Sequence, residues 1–327
     1  MLDTVIADAE KLAASAAAAR REIARVIHGQ QEAVDQALVA VLAGGHALLI
    51  GVPGLGKTLL VGTVARVLGL DSRRIQFTPD LMPADITGSE VLDDQDGHRQ
   101  FRFVQGPVFC QLLMADEINR ASPRTQSALL QAMQEQRVAI GGIEHALPRP
   151  FHVLATQNPI EQEGTYPLPE AQLDRFLLEV NVGYPDLAAE RAMLIATTGA
   201  SDARPAQAMT AAELLTAQAL IRRVPIGDKV VDAILSLVRG GRPETADDEI
   251  VRRHVAWGPG PRAAQALMLA CRARALLVGA DRLSPSVDDV VALARPVLRH
   301  RMALSFSARA DGVVLSDVID RLVARLG

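Results

Sequence analysis

Residues 51–58 read GVPGLGKT, and this Gly-rich loop constrains the fold more than any other segment of the chain. In the pattern Gly-x-x-x-x-Gly-Lys-Thr, backbone N–H groups surround phosphate oxygens, the lysine reaches the outer phosphates and the threonine hydroxyl binds Mg²⁺. Such a loop needs a strand before it and a helix after it. The apolar run ALLI at 47–50 predicts the strand, and helical apolar spacing follows until Gly69.

The N-terminus of that helix faces the loop and favours an anion there, so the loop predicts a polyphosphate site. The alternative, a Gly-rich turn with an incidental lysine, is disfavoured by the strand and helix around it. Thr58 is also a candidate ligand of the metal ion. The candidate phosphate-binding residues are Gly51, Pro53, Gly54, Leu55, Gly56, Lys57, Thr58 and Leu59.

A second apolar run, at 112–115, ends in the acidic pair Asp116 and Glu117. Because the carboxyl ends of parallel strands meet at one edge of a sheet, Asp116 is expected beside the loop, where it can hold Mg²⁺ through water. Glu117 can then polarise a water molecule that attacks the γ-phosphate. An acidic cap of the next helix is the alternative role of this pair, and the Gly-rich loop makes that role the less favoured one.

A third apolar run, FHVLATQ, precedes Asn158. The amide of Asn158 could orient the same water molecule from a neighbouring strand. Since Pro159 follows it, Asn158 is also compatible with a plain turn. Its position after a strand, downstream of the acidic pair, favours the first role.

Length and composition limit the class of protein. A chain of 327 residues predicts two domains, and 49% apolar with 22% charged residues is typical of a globular protein. Two cysteines are too few for a disulfide framework, and the N-terminus is acidic where a secretory signal is basic, so a reducing, cytoplasmic location is expected. The uncharged stretch 36–56 contains several glycines and Pro53, which argues against a membrane span.

The chain divides into three parts, an Ala-rich N-terminal helix at 1–25, an α/β unit at 26–184 and an all-α unit at 185–327. Strand-like runs stop after the segment VNVGYPD. Beyond it the apolar spacing is helical, and Thr210 with Glu213 has the pattern of a capping box.

Two insertions interrupt the α/β unit, at about 91–103 and about 137–147. Short extended runs flank a turn signal in each one, Asp96-Gly97 in the first and Gly141-Gly142 in the second. Each insertion therefore predicts a β-hairpin.

Several segments, in order, resemble the MoxR family of AAA+ ATPases: GVPGLGKT, LLMADEINRASPRTQSALLQAMQE, ATQNP, LPEAQLDRF and GPGPRA. The resemblance extends over nearly the whole chain, from VIHGQ at 26–30 to RHRMALSF at 299–306. It implies an α/β fold, in which a P-loop AAA+ core with a parallel β-sheet between helices is followed by a C-terminal helical lid domain. It also implies that ATP and Mg²⁺ bind and that ATP is hydrolysed in a homo-oligomeric ring, usually a hexamer.

The resemblance further implies how such a ring is used. Relatives typically remodel or activate protein complexes together with a partner that carries a von Willebrand factor A domain. Paired hairpins are typical of the helix-2-insert branch of AAA+ proteins, in which they contact the protein client. As the alternative, two exposed hairpins could be decorations without a role.

Single residues also acquire roles from the resemblance. Asp116 and Glu117 correspond to the Walker B pair, and Asn158 corresponds to sensor 1. Arg262 of GPGPRA corresponds to sensor 2, and Arg175 of LDRF corresponds to the arginine finger that reaches the nucleotide of a neighbouring subunit. The residues that correspond to the adenine-lining segment are Val26, Ile27, His28 and Gly29.

Physical alternatives remain for these arginines. An arginine finger neutralises charge that develops on the phosphoryl group in the transition state. Arg175 could instead pair with Asp174 or Glu170, its neighbours in the chain, and Arg120 and Arg124 are rival fingers.

Arg262 lies in the first turn of a helix that is expected to open at Pro261. A cation there opposes the helix dipole unless an anion lies nearby, so a phosphate sensor is favoured over a plain surface arginine.

Three classes of function compete. A ring ATPase acting on protein complexes explains the hairpins, the sensors and the finger. The alternative, a nucleic-acid motor, is disfavoured by a net charge of −4 and only 3% aromatic residues, since a channel for a nucleic-acid strand needs basic and stacking side chains. A P-loop GTPase would need an Asn-Lys-x-Asp motif, which the sequence lacks, and a small-molecule kinase has no use for a finger in trans.

Overall fold

Parallel strands built from the buried apolar runs form the centre of the molecule. The computed structural model describes residues 2–95, 98–161, 164–198, 204–278 and 283–326. Its strands are β1 (Ala47–Ile50), β2 (Ser72–Gln76), β3 (Gly88–Gln95), β4 (His98–Gln105), β5 (Leu112–Asp116), β6 (Arg137–Ile140), β7 (Ile143–Ala146), β8 (His152–Gln157), β9 (Leu178–Asn181), β10 (Val255–Trp257) and β11 (Ala303–Leu304). Five of them form one parallel sheet in the order β2-β5-β8-β1-β9.

Helices connect these strands and continue to the end of the chain. They are α1 (Leu2–Ala24), α2 (Gln31–Leu42), α3 (Lys57–Val67), α4 (Pro83–Thr87), α5 (Pro123–Glu135), α6 (Glu170–Leu173), α7 (Leu187–Thr198), α8 (Ala211–Ile221), α9 (Asp228–Gly240), α10 (Glu249–His254), α11 (Pro261–Val278), α12 (Val287–Leu298), α13 (Phe306–Ala310) and α14 (Leu315–Val323). Short 3-10 turns lie at Ile118–Arg120 and Arg299–Arg301.

Both faces of the central sheet are covered. Along β1, Ala47 and Leu49 pack into one hydrophobic cluster, which includes α2, α3 and α11, and Leu48 packs into a second cluster, which includes α5. Because side chains alternate along a strand, this division puts the two clusters on opposite faces of the sheet. The predicted α/β fold, with a parallel sheet between helices, is confirmed.

The two insertions form antiparallel hairpins. Strands β3 and β4 pair over their full length, and the predicted turn at 96–97 lies outside the described residues. Strands β6 and β7 are joined by Gly141 and Gly142, whose φ angles of 57° and 82° are those that a two-residue hairpin turn requires. The hairpins also contact each other, because the ring of Phe103 stacks on His145 with 4.1 Å between centroids.

The N-terminal helix packs against its own chain. Its apolar stripe contacts α2, α3, α8 and α11. The buried residues of this stripe are Ala9, Leu12, Ala16, Ala19 and Ile23, which are spaced three and four residues apart and therefore share one helical face.

The C-terminal region is helical with one exception. The capping box of α8 is present, since the backbone N–H of Glu213 donates to Thr210 Oγ1 at 3.2 Å and that of Thr210 donates to Glu213 Oε2 at 2.8 Å. The expectation that this region is entirely helical needs one correction, because β10 and β11 form a short antiparallel ribbon. The two strands are three and two residues long, too short to leave a periodic pattern in the sequence.

In the described part of the chain, no helix is both long and apolar enough to cross a membrane. The uncharged stretch 36–56 is divided among α2, β1 and the Gly-rich loop.

Candidate active site

The Gly-rich loop connects β1 to α3, so it lies at the carboxyl edge of the sheet. Gly54 and Gly56 have φ angles of 83° and 74°, which favour glycine, and no atom lies within 4 Å of the position a Cβ would take at either residue. The backbone there is therefore open to close approach by a ligand. Gly51 is different, because its Cβ would lie 2.5 Å from the carbonyl oxygen of Val182.

Lys57 folds back over the loop. Its Nζ atom donates to the carbonyl oxygens of Gly51 and Val52 at 2.6 and 2.8 Å. Burial lowers the pKa of Lys57, and the negative charges of Asp116 and Glu117 oppose that shift. The lysine is thus held among carbonyl oxygens and close to two carboxylates, at the place where a phosphate would add further negative charge.

A cavity of about 420 Å³ opens in front of the loop. It brings together residues from the carboxyl ends of three adjacent strands, β1, β5 and β8. The lining residues are Pro53, Gly54, Leu55, Gly56, Lys57, Thr58, Leu59, Asp116, Glu117, Thr156 and Asn158. The Walker B pair and the sensor 1 candidate therefore share one cavity with the Gly-rich loop.

Asp116 ends β5 and is buried. Its Oδ2 atom accepts hydrogen bonds from Arg74 Nη2 at 2.6 Å and Arg74 Nε at 3.1 Å. Its Oδ1 atom accepts one from Thr156 Oγ1 at 2.5 Å. These contacts fix the direction of the carboxylate.

Glu117 has an unusual backbone conformation for a residue with a side chain. Its φ and ψ angles of 54° and 50° are left-handed, which costs about 1–3 kcal/mol and is maintained only where the surroundings enforce it. One enforcing contact is the hydrogen bond from its backbone N–H to Thr156 Oγ1 at 2.9 Å. Its carboxylate accepts hydrogen bonds from Gln76 Nε2 at 2.6 Å and from Arg120 Nη1 at 3.0 Å.

Asn158 follows β8 directly and is buried. Its Oδ1 atom accepts a hydrogen bond from the backbone N–H of Ile160 at 3.1 Å, which is a local turn contact. The residue also lines the cavity, so the turn and the position beside the acidic pair coexist.

The donors around the cavity fit a magnesium ion. Thr58 and Asp116 both line it and offer oxygen atoms, the ligands that Mg²⁺ prefers. Within the described residues no group of three or more His, Cys, Asp or Glu side chains surrounds a common point. Magnesium ions bound with nucleotides usually take only one or two protein ligands, and phosphate and water oxygens complete the coordination.

The candidate adenine segment lies beside the loop but does not line this cavity. Ile27 is buried in the core, whereas Val26 and His28 are partly buried. Gly29 has a φ angle of 70°, and a Cβ there would lie 2.3 Å from the Cβ of Ala189 on α7. The next residue, Gln30, donates to the carbonyl oxygen of Leu55 at 3.0 Å and so ties the segment to the Gly-rich loop.

A second cavity, of about 270 Å³, contains the two other arginine candidates. It is lined by residues 43–46 before β1, by Leu177 before β9 and by parts of α5, α8 and α11. Its four arginines are Arg175, Arg222, Arg262 and Arg301, and its carboxylate is that of Asp174.

The charges in this arginine cavity are unevenly paired. Asp174 interacts with Arg301, at 2.7 Å, and with Arg262, at 3.8 Å. The anion close to Arg262 at the start of α11 is therefore the Asp174 carboxylate. Arg175 makes no ion pair within the described residues, so its alternative pairing with Asp174 or Glu170 is not observed there.

The two cavities lie at opposite edges of the sheet. The arginine cavity is next to the amino ends of β1 and β9, and the Gly-rich loop follows the carboxyl end of β1. The four residues of β1 span roughly 13 Å at about 3.3 Å per residue. Arg175 and Arg262 thus do not lie beside the Gly-rich loop of their own chain, whereas the rival Arg120 does, through its contact with Glu117.

The structure adds residues that were not predicted from the sequence. Thr156, Gln76 and Arg74 contact the acidic pair, and Arg222 lines the arginine cavity. A signal for Thr156 was present, because it lies two residues before Asn158 on the same strand and so shares its face. Arg74 and Gln76 have the same spacing on β2, but that strand carried no motif.

Comparisons with known proteins agree with the fold and the site. Residues 46–178 match the family described as ATPase family associated with various cellular activities (AAA), and residues 247–322 match the AAA lid domain. Chaperone MoxR1 of Mycobacterium tuberculosis is 44% identical over 303 residues, which are 92% of this chain and 79% of that protein. Protein MoxR of Methylorubrum extorquens is 32% identical over 311 residues, 89% of this chain and 88% of that one.

The chain belongs to the MoxR family of AAA+ ATPases. A solved structure of a putative ATPase from Cytophaga hutchinsonii is also similar to this MoxR-family chain, with a TM-score of 0.90 and 35% identity. The alignment covers 99% of this chain and 97% of that one, so the likeness includes both the core and the lid region.

Proposed function

We propose that this MoxR-family chain hydrolyses ATP with Mg²⁺ in a homo-oligomeric ring, most simply a hexamer. The ring uses the reaction to remodel or activate protein complexes, together with a partner that carries a von Willebrand factor A domain. The observation that supports the proposal most strongly is the separation of the two cavities. One chain holds a Gly-rich loop with acidic residues at one edge of the sheet, and its unpaired finger candidate at the other.

The first half of the active site belongs to a single chain. The loop N–H groups and Lys57 would hold the phosphates of ATP, and Thr58 with Asp116 would hold Mg²⁺, which supplies positive charge to the β- and γ-phosphates when bound. Glu117 would accept a proton as a water oxygen attacks the γ-phosphorus, while Asn158 orients that water. The bond from the γ-phosphorus to the bridging oxygen breaks, and ADP and phosphate leave.

The second half would come from a neighbouring copy. Arg175 and Arg262 would approach the γ-phosphate of the next subunit and neutralise the charge that develops in the transition state, a contribution of about 10³–10⁵-fold in known fingers. Arg222 lines the same cavity and would add a third cation. Because Asp174 is paired with Arg301, its charge does not cancel that of Arg175.

The hairpin pair would supply the contact with the protein client. Phe101 on the first hairpin and Ile143 on the second are 72% and 59% exposed, and the Phe103–His145 stack holds the hairpins together. Exposed apolar side chains on rigid hairpins are typical of protein contact sites. Chaperone MoxR1, the printed name of one relative, is consistent with a client of this kind.

A cytoplasmic location is part of the proposal. Cys110 and Cys271 are buried in different hydrophobic clusters, so a disulfide between them would require the core to open.

The proposal is tested by ATP turnover per subunit over a wide range of protein concentration, with Glu117→Gln as the blank. Turnover should rise steeply with concentration, and Arg175→Ala subunits should poison wild-type subunits on mixing. A flat rate that is unaffected by mixing would contradict the shared site. Strong stimulation by single-stranded DNA would instead favour the alternative function, a nucleic-acid motor.

A further inference from the structure

Arg301 is a buried arginine at the end of the 3-10 turn that follows α12. Its side chain is 2% exposed and pairs with the Asp174 carboxylate. Burying a guanidinium is expensive unless its donors are satisfied, so the contacts of this side chain decide what it does.

Most of those contacts go to one short segment at 174–177. Nε donates to Asp174 Oδ1 at 2.7 Å, and Nη2 donates to the carbonyl oxygens of Phe176 at 2.6 Å and Asp174 at 3.3 Å. Nη1 donates to the carbonyl oxygens of Leu177 at 3.1 Å and Val297 at 2.8 Å. The planar guanidinium therefore bridges the end of α12 and the segment that leads into β9.

The residue inside that segment is Arg175. Its neighbours on both sides accept hydrogen bonds from Arg301, and His300 adds a bond from Nε2 to the carbonyl oxygen of Phe176 at 3.0 Å. The Arg175 side chain lines the arginine cavity and has no ion pair within the described residues. Its backbone is thus held by the lid, while its guanidinium is left for a ligand.

We infer that Arg301 is a positioning residue that holds Arg175 in the geometry needed to reach a neighbouring copy's nucleotide, and that it makes this geometry depend on the lid. The inference rests on the proposed function, in which Arg175 acts in trans. Arg301 itself is buried behind Asp174 and contacts no nucleotide in this role.

Loss of Arg301 should lower turnover without weakening nucleotide binding at the same chain's loop. A displacement of about 1 Å of a reacting or charge-stabilising group costs about 10²-fold in rate. We therefore expect Arg301→Met to reduce turnover per subunit by about 10²-fold, with the dissociation constant for ATP unchanged. Arg301→Lys keeps the charge but not the planar fork and should also reduce turnover, by about tenfold.

Mixing experiments separate positioning from a folding defect. Glu117→Gln subunits lack hydrolysis but keep Arg175, so they should restore turnover when mixed with Arg175→Ala subunits. If Arg301 acts through Arg175, Glu117→Gln subunits should rescue Arg301→Met and Arg301→Lys in the same way. Arg175→Ala subunits should fail to rescue either, because both partners then lack a working finger.

Arg299→Met is the matched control. Arg299 lies on the same 3-10 turn and pairs with Glu179 at 3.6 Å, and no hydrogen bond joins it to residues 174–177 among the described contacts. This variant should keep wild-type turnover.

The outcomes are distinguishable. If Arg175→Ala and Glu117→Gln do not complement each other, the trans finger fails and the inference falls with it. If they do, but the Arg301 variants keep wild-type turnover or are rescued by Arg175→Ala, the role of Arg301 alone is overturned. Should Arg301→Met fail to fold, Arg301→Lys provides the same readouts.

Discussion

The hydroxyl group of Thr156 makes two hydrogen bonds at the carboxyl edge of the sheet. It donates to Asp116 Oδ1 and accepts from the backbone N–H of Glu117. One oxygen atom on β8 therefore fixes both the direction of the metal-ligand candidate and the left-handed backbone of the candidate base.

Thr156→Val tests this link with little change in shape. Valine cannot make either hydrogen bond, and leaving a buried donor unsatisfied costs about 1–3 kcal/mol. We expect a loss of that size in urea unfolding and a fall in turnover of about tenfold or more, with ATP affinity retained. Thr216→Val is the control, because that hydroxyl donates to the Ala212 carbonyl oxygen on an exposed helix. Normal turnover in Thr156→Val would show that Glu117 needs no such support.

Lys57 can be tested against another lysine of the same chain. Lys57→Ala removes the cation that lies among the loop carbonyl oxygens, so ATP binding should weaken by about 10²-fold or more in a fluorescent-nucleotide titration. Lys229→Ala removes an exposed lysine from α9 and should leave the affinity unchanged. Equal affinities in the two variants would refute the role of the loop.

Much of the site follows from local patterns, and the rest does not. Asp116 and Asn158 each follow an apolar run, and parallel strands bring such positions to one edge, so their meeting was predictable. The location of Arg262 was not, because it depends on how the lid packs back on the core. No periodicity or motif around GPGPRA specifies the edge of the sheet at which this arginine lies.

At the level of elements, buried strands and capped helices were the most predictable. The run at 47–50 coincides with β1, and Thr210 with Glu213 caps α8. Ribbon β10–β11 was missed, since its two short strands form only when distant segments pair. The contact between the hairpins was also missed, because a stack such as Phe103 on His145 depends on their relative placement.

The stripe on α1 gives a prediction at this level. Ile23 is fully buried against the core, so Ile23→Ala should lower the free energy of unfolding by about 2–5 kcal/mol. Arg21→Ala, at an exposed position of the same helix, is the control and should change it by less than about 0.5 kcal/mol. Both values come from urea unfolding curves. Equal stability of the two variants would mean that α1 is not part of the folded core in solution.

Across the whole molecule, buried histidines link stability to pH. His46 accepts a hydrogen bond from the Val153 backbone N–H at 2.9 Å, and His152 contacts the Gly45 carbonyl oxygen at 2.8 Å. Burial lowers the pKa of His46 to about 3 and that of His152 to about 4. Glu179 acts in the opposite direction, because burial raises its pKa to about 7.

Below pH 6.5 the unfolded chain therefore takes up protons at both histidines that the folded chain does not. Each histidine should lower the free energy of unfolding by up to about 1.4 kcal/mol per pH unit as the pH falls toward 4. Glu179 opposes this change between about pH 4.5 and 7, since its folded form binds the proton more tightly. Urea unfolding at several pH values measures the slope.

Two variants resolve these contributions. His152→Gln should flatten the acid slope, and Glu179→Gln should steepen it. Identical slopes in the wild type and both variants would contradict the assignment.

The two cavities at opposite edges of the sheet give each copy a head and a tail. A two-fold pair would join like to like and leave every site incomplete, whereas head-to-tail contacts either close or continue as an open string. Under the proposed function, an open string always has one complete site fewer than it has copies. Closure adds that last site without adding a subunit, so catalysis itself would distinguish a closed assembly from a broken one.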